Sequence, residues 1–226
     1  MAAKLSKKDL KSPDAFQSTF EQLGDYVLEN KTRVTVIASA LVCAIILVVG
    51  IYFYWSYYSN AALKLYATAQ QNLIQSGENK ESIEENVGIF NEIIAKYPYS
   101  WSGKMAYYHL GNIHFKRGEM DESIAAYKKF VSKTRTDKSG VKFLALTSLG
   151  YCYERKADFN EALKYFELAQ KTYNVGFEMI GLRNIARMYE ALDNKEKALE
   201  YYKKALEITT EPAALLFIKR KISTLS

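Results

Sequence analysis

Histidines and cysteines are the side chains of this sequence best suited to metal or nucleophilic chemistry, and there are two of each. His109 and His114 are five positions apart, so on one helix they point in different directions, and no cysteine or carboxylate cluster completes a ligand set. The sequence has no glycine-rich phosphate loop, and no histidine lies where it would activate a serine or threonine. We therefore predict a protein that is not an enzyme, binds no cofactor or metal, and uses both histidines for packing.

The two cysteines do not form a disulfide framework. Cys43 lies in a long apolar stretch, whereas Cys152 lies far downstream between Tyr151 and Tyr153. An apolar helical pattern surrounds Cys152, and cysteine in such a setting behaves as a small buried residue. We expect Cys152 to be buried rather than redox-active.

The longest apolar stretch, residues 34–55, contains 22 consecutive uncharged residues. As a helix it would extend about 33 Å, which is enough to cross a hydrocarbon core about 30 Å thick. Lys31 and Arg33 precede it, and a cluster of tyrosine, phenylalanine and tryptophan typical of a membrane interface ends it. Because 33 residues come before this run and its exit is bulky, we interpret it as an uncleaved anchor rather than a signal peptide. The basic flank predicts that residues 1–33 are cytoplasmic.

Charge excludes one class of partner. The net charge of +6 arises from 31 basic and 25 acidic residues out of 226, and it is spread along the chain. No basic block or patch suggests nucleic-acid binding, so we expect no nucleic acid among the partners.

Helical patterns flank the apolar run on both sides. Residues 12–30 predict a short amphipathic helix that lies on the membrane, touches a partner or is a loosely ordered lead-in. Residues 61–74 should continue the membrane helix outward, ending at Gly77, and residues 82–97 form another helix that closes at Pro98.

From Trp101 onward the sequence repeats a unit of two helices joined by a polar turn. Each unit places a small residue on the first helix, another on the second, and an aromatic residue four positions after the second. These positions are Gly111, Ser123 and Tyr127; Gly150, Ala162 and Phe166; and Ala186, Ala198 and Tyr202. The small residues allow close helix approach, and the aromatic residues fill the space between neighbouring pairs.

This pattern closely resembles the tetratricopeptide repeat. The resemblance implies an all-α fold in which a single N-terminal transmembrane helix is followed by a tetratricopeptide-repeat α-solenoid. We predict three regions: a cytoplasmic segment 1–33, a transmembrane helix 34–58, and a periplasmic repeat domain 59–226. The helix from Ala61 and the helix of residues 82–97 would form a fourth, degenerate repeat, residues 134–140 an insertion, and residues 213–223 a capping helix.

In this architecture the first helices of successive repeats line a concave groove. Residues beside the packing positions would then face a bound polypeptide, and aromatic rings alternating with arginine suit an extended or partly unfolded chain. The alternative is that they form ordinary solvated helix faces. The candidate groove residues are Tyr108, Asn112, Phe115, Tyr151, Arg155, Arg183 and Arg187.

The layout of basic N-terminus, one span, helical neck and repeats resembles the bacterial ancillary subunits of the SecYEG translocon. That resemblance implies an inner-membrane protein whose periplasmic repeats meet exported or incompletely folded polypeptides beside the Sec translocon and work with periplasmic chaperones. One alternative is a scaffold subunit of another envelope complex, such as cytochrome maturation or cell-wall synthesis. A second is a chaperone-docking receptor on an organelle, which is disfavoured because only Asn112 matches the carboxylate-binding pattern of that class.

Overall fold

The computed structural model describes residues 15–75, 80–135, 137–172 and 176–226. These residues form ten α-helices, with turns between them, and no strand. The chain divides into two compact units, of which the first ends at Tyr57 and the second is Tyr58–Ser226. The helices are α1 (Ala15–Glu29), α2 (Lys31–Gln75), α3 (Lys80–Lys96), α4 (Trp101–Arg117), α5 (Met120–Lys133), α6 (Val141–Arg155), α7 (Phe159–Gln170), α8 (Glu178–Ala191), α9 (Lys195–Ile208) and α10 (Pro212–Leu225).

The first unit contains α1 and the apolar part of α2. The predicted N-terminal helix is present as α1, and residues 12–14 of that prediction lie outside the described part of the chain. Helix α2 continues without interruption into the second unit, as expected for a sequence that lacks proline over this range. Its apolar window is long enough to cross a membrane by length and composition, and none of that window is buried.

The second unit begins with a pair of helices formed by the outer part of α2 and by α3. Ala62 and Ala69 are fully buried on α2. Ala69 packs in one cluster with Phe90 and Ile93 of α3, both of which are also fully buried. The predicted fourth, degenerate helix pair is therefore present.

Small residues and aromatic rings meet within each of the next three helix pairs, α4–α5, α6–α7 and α8–α9. A Cβ added to Gly111 would lie 2.6 Å from the Tyr127 ring, and one added to Gly150 would lie 2.5 Å from the Phe166 ring. In the third pair, Ala186 and Tyr202 pack in one buried cluster. The predicted register of the repeats is confirmed for the small residue of each first helix, which packs with the expected aromatic ring.

The turns within the pairs α4–α5, α6–α7 and α8–α9 share one feature of backbone conformation. One residue in each turn is left-handed: Gly118 with φ 80°, Ala157 with φ 58° and Asp193 with φ 57°. The next helix then starts with a polar cap in the second and third pairs, where the side chains of Asp158 and Asn194 accept a hydrogen bond from the backbone N–H three residues on. Local sequence thus fixes where the second helix begins.

Two further predictions concern the connections and the end of the domain. The segment 134–140 separates α5 from α6, as expected for an insertion, and the Asp137 carboxylate organises it by accepting hydrogen bonds from the backbone N–H groups of Ser139 and Lys142. Helix α10 begins with Pro212 at its first turn. Its fully buried Ile218 packs against Ala186, Tyr202 and Ala205, so α10 covers the apolar face of the last pair.

Candidate interaction groove

Arginine side chains connect the first helices of successive pairs. The Arg155 guanidinium of α6 lies 4.4 Å from the centre of the Phe115 ring of α4, and it donates a 3.4 Å hydrogen bond to the Phe115 carbonyl oxygen. The next arginine repeats the arrangement, since the Arg187 guanidinium of α8 lies 5.6 Å from the centre of the Tyr151 ring of α6. We call these four residues the arginine ladder. Each rung joins two adjacent helix pairs through a cation–π contact.

The second rung carries additional polar contacts. Arg187 forms a 2.8 Å ion pair with Glu154, and the Tyr151 hydroxyl exchanges hydrogen bonds with the Asn184 side-chain amide. Both partners of the ion pair are partly exposed, so it adds no more than about 1 kcal/mol on its own. Its main effect is to fix the orientation of the guanidinium over the ring.

The three remaining candidate residues occupy different positions. Asn112 accepts a 2.6 Å hydrogen bond from the Tyr127 hydroxyl and faces the groove beside Phe115. Tyr108 instead packs against the Tyr127 and Phe130 rings, and burial raises the pKa of its hydroxyl. Arg183 is half-buried on α8. The structure therefore brings together Asn112 and the arginine ladder, whereas Tyr108 packs mainly against α5.

A cavity of about 520 Å³ opens in the second unit where α2, α3 and α4 meet. Its volume falls in the range of sites that take small ligands or a few side chains. Two candidate groove residues, Asn112 and Phe115, are part of its wall. The full lining consists of Leu73, Ile83, His109, Asn112, Ile113, Phe115, Lys116, Arg117, Tyr127 and Ser148.

The wall of this cavity is apolar inside and basic at one side. Leu73, Ile83 and Ile113 provide aliphatic surface, and Arg117 is held in place by a 2.7 Å ion pair with Glu84 of α3. Such a wall can accept an apolar side chain while presenting positive charge to an acidic neighbour in a bound chain. Among the described residues, no group of three or more His, Cys, Asp and Glu side chains could hold a metal ion.

His109 lines the cavity and takes part in a network of hydrogen bonds. Its Nε2 atom lies 2.7 Å from the Tyr66 hydroxyl and 2.9 Å from the Gln70 amide nitrogen, and Gln70 also donates to the Tyr66 hydroxyl. The imidazole stacks on the Phe90 ring with 5.2 Å between ring centres. Burial lowers the pKa of His109 from 6.5 to about 4, so the neutral ring, whose Nε2 accepts these hydrogen bonds, is the stable form.

His114 and Cys152 also have structural partners. His114 pairs with Glu119 at 2.6 Å where α4 ends, and the fully buried Cys152 lies 3.3 Å from the Ser123 hydroxyl of the preceding pair. Burial raises the pKa of the Cys152 thiol, which keeps it protonated. These observations agree with the packing roles that the sequence predicts.

The sequence matches models of a known protein family. Two family models described as tetratricopeptide repeat match the sequence, one over residues 144–211 and the other over residues 106–132. The chain carries tetratricopeptide repeats. These ranges contain parts of the pairs α4–α5, α6–α7 and α8–α9, whereas the pair formed by α2 and α3 lies outside both. No curated protein matches the sequence.

Solved structures agree with this assignment at the level of the fold. MamA is 17% identical with a TM-score of 0.53, and the match covers 65% of this chain and 78% of MamA. A tetratricopeptide repeat protein from Parabacteroides merdae is 14% identical with a TM-score of 0.60, over 74% of this chain and 60% of that one. The repeats found by the family models imply a scaffold for protein–protein interaction.

Apart from Asn112 and Phe115, the residues of the cavity wall were not among the sequence candidates, and two of them come from the first helix pair. Leu73 belongs to the outer part of α2 and Ile83 to α3, the degenerate pair that precedes the recognisable repeats. Extending the groove by one repeat toward the N-terminus would have identified this end as part of the interaction surface.

Proposed function

We propose that the protein is anchored in the bacterial inner membrane by α2 and uses its periplasmic repeats to bind exported or incompletely folded polypeptides near the Sec translocon, together with periplasmic chaperones. The observation that carries the proposal is the cavity of about 520 Å³ in the groove, with aliphatic walls and a basic side. A cavity of this kind accepts apolar side chains that a folded protein would hide. The absence of a matching carboxylate-binding set in the sequence fits a site that does not select one fixed C-terminal motif.

Anchoring explains why weak binding would be sufficient. A domain tethered to the membrane meets a target in the same membrane at an effective concentration of roughly millimolar. Client chains could then exchange rapidly while remaining near the site where they emerge. The scaffold role in another envelope complex remains the alternative, and the partners recovered with the protein would distinguish the two.

Replacing Tyr151 and Arg187 together with alanine should reduce crosslinking to newly exported chains while co-purification with the translocon persists. The double change removes one rung of the arginine ladder and so disturbs the groove, whereas translocon contact is expected from α2 and residues 1–33. The measurement uses a photoreactive amino acid at Phe115, followed by identification of the crosslinked proteins. Phe217, which is 42% exposed on α10, is the matched control position.

A separate control tests whether loss of any cation–π pair gives the same result. Lys204 lies 4.9 Å from the centre of the Tyr201 ring on α9, away from the cavity lining. Lys204→Ala should leave crosslinking unchanged. Undiminished crosslinking in the Tyr151 and Arg187 variant would show that this rung of the arginine ladder is not part of the client site. Recovery of a different envelope complex instead of the translocon would favour the scaffold alternative.

Topology can be tested independently of any partner. Because Lys31 and Arg33 precede the apolar run, alkaline phosphatase fused after Ser226 should be exported and active. A reporter that is active only in the cytoplasm should be inactive at the same position. The opposite pattern would contradict the periplasmic location of the repeats.

A further inference from the structure

The turn between α3 and α4 presents two exposed aromatic side chains. Tyr99 in the turn is 72% exposed, and Trp101, the first residue of α4, is 60% exposed. Aromatic side chains of this size usually lose water when a soluble domain folds, because each buries a large apolar area. Their exposure at neighbouring positions points to an interaction surface.

Several contacts hold this turn against α2. The backbone N–H of Tyr99 donates a 3.2 Å hydrogen bond to the Tyr58 hydroxyl, and the Tyr58 and Tyr97 rings meet edge to face with 5.1 Å between their centres. The Trp101 ring lies edge to face with Tyr66, at 5.3 Å. The turn is therefore attached to α2 at Tyr58.

The turn itself is also tightly constrained. Ser100 is buried and caps α4 by accepting a 2.9 Å hydrogen bond from the Gly103 N–H. A Cβ at Gly103 would collide with the Tyr97 carbonyl oxygen, so only glycine permits this close approach. Tyr99 and Trp101 consequently project from a fixed platform rather than from a flexible loop.

Tyr58, to which the turn is attached, comes directly after the apolar run in the sequence. Tyr58 follows Trp55 by three positions within α2, a rise of about 4.5 Å along a helix. The polar layer outside the hydrocarbon core is roughly 5–8 Å thick on each side. A residue three positions beyond a membrane span falls within the thickness of this layer.

We propose that the α3–α4 turn is a second membrane contact, in which Tyr99 and Trp101 lie in the lipid headgroup layer on the C-terminal side of the span. Tyrosine and tryptophan are the side chains that favour this layer, because each combines an apolar ring with a polar group that stays hydrated. The contact would hold the repeats in one orientation on the bilayer surface. This inference rests on the proposed membrane anchoring by α2.

The test uses the two tryptophans of the chain, Trp55 and Trp101. The full-length Trp55→Phe variant retains Trp101 as its only tryptophan, and it is reconstituted into phosphatidylcholine–phosphatidylglycerol vesicles containing nitroxide-labelled lipid. We expect a headgroup or shallow nitroxide to quench Trp101 emission roughly twofold more than a deep one, as for an interfacial residue. Tyr99→Trp, placed in a chain that lacks both native tryptophans, should behave in the same way.

Two controls decide the outcome. Phe217→Trp in the tryptophan-free chain should show no quenching by lipid, and equal quenching there would overturn the inference by showing that the whole domain adsorbs. The Trp101→Phe variant retains Trp55 and reports on the span alone. If Trp55 is quenched and position 99 or 101 is not, the turn lies in water and the inference fails while anchoring stands. If Trp55 is also unquenched, the anchoring proposal fails and the inference fails with it.

Discussion

Gly150→Leu is expected to destabilise the repeat domain by about 1–3 kcal/mol or more, because inserting extra side-chain atoms into a well-packed core typically costs about 1–3 kcal/mol. An added Cβ alone would lie 2.5 Å from the Phe166 ring, which is 1% exposed and cannot move aside. The rest of the leucine side chain has no space between α6 and α7. Thermal and urea unfolding of the full-length protein in detergent, followed by near-ultraviolet circular dichroism, measures the effect.

Gly88→Ala is the matched control for a glycine in a helix. No atom outside its own helix lies within 4 Å of a Cβ added at Gly88 of α3. Alanine favours the helix over glycine by about 1 kcal/mol, so this variant should be neutral or slightly more stable. A Gly150→Leu protein that unfolds like the parent would show that the close contact between α6 and α7 is wrong.

Acidification from pH 7 to pH 4 should weaken the packing of α2 against α4 through His109. The pKa of His109 is lowered to about 4 in the folded protein, whereas the unfolded chain binds the same proton near pH 6.5. Between these values the unfolded state holds more protons, so stability falls as the pH falls and levels off below about 4. The group can contribute at most about 3 kcal/mol over this range.

His109→Gln provides the comparison, because glutamine keeps a polar side chain beside Tyr66 and Gln70 but cannot titrate. The difference in unfolding free energy between the parent and the variant should change by a few kcal/mol between pH 7 and pH 4. Carboxylates elsewhere affect both proteins equally and cancel in this difference. A difference that stays constant across the range would mean that His109 does not carry the acid sensitivity.

The repeat architecture could be predicted because its packing depends on local spacing. Gly150, Ala162 and Phe166 lie within one helix pair, so their spacing in the sequence predicts which side chains contact each other. The same holds for the caps at Asp158 and Asn194, where each side chain bonds the backbone three residues on. Contacts between residues that are close in the sequence produce a regular sequence pattern.

Contacts between helix pairs are harder to predict. The sequence identifies the helix face on which Arg155 lies, but nothing in its neighbourhood states that its guanidinium stacks on Phe115, 40 positions earlier. Tyr108 illustrates the converse problem, because a rotation of a few tens of degrees decides whether its ring faces the groove or packs on Phe130. The cavity depends on Leu73 and Ile83, which belong to a pair with little of the repeat signature.

The arginine ladder has a consequence for how the domain opens. Each rung joins two adjacent helix pairs and no others. The stability of each helix pair therefore depends on its contacts with the adjacent pairs. The pair α6–α7 takes part in both rungs, whereas α8–α9 takes part in one and depends on α10 for its other face. Exchange of backbone amide hydrogens should therefore be fastest toward the C-terminal end and slowest around Leu149 and Phe166. Local unfolding should begin at α10 and proceed toward α6.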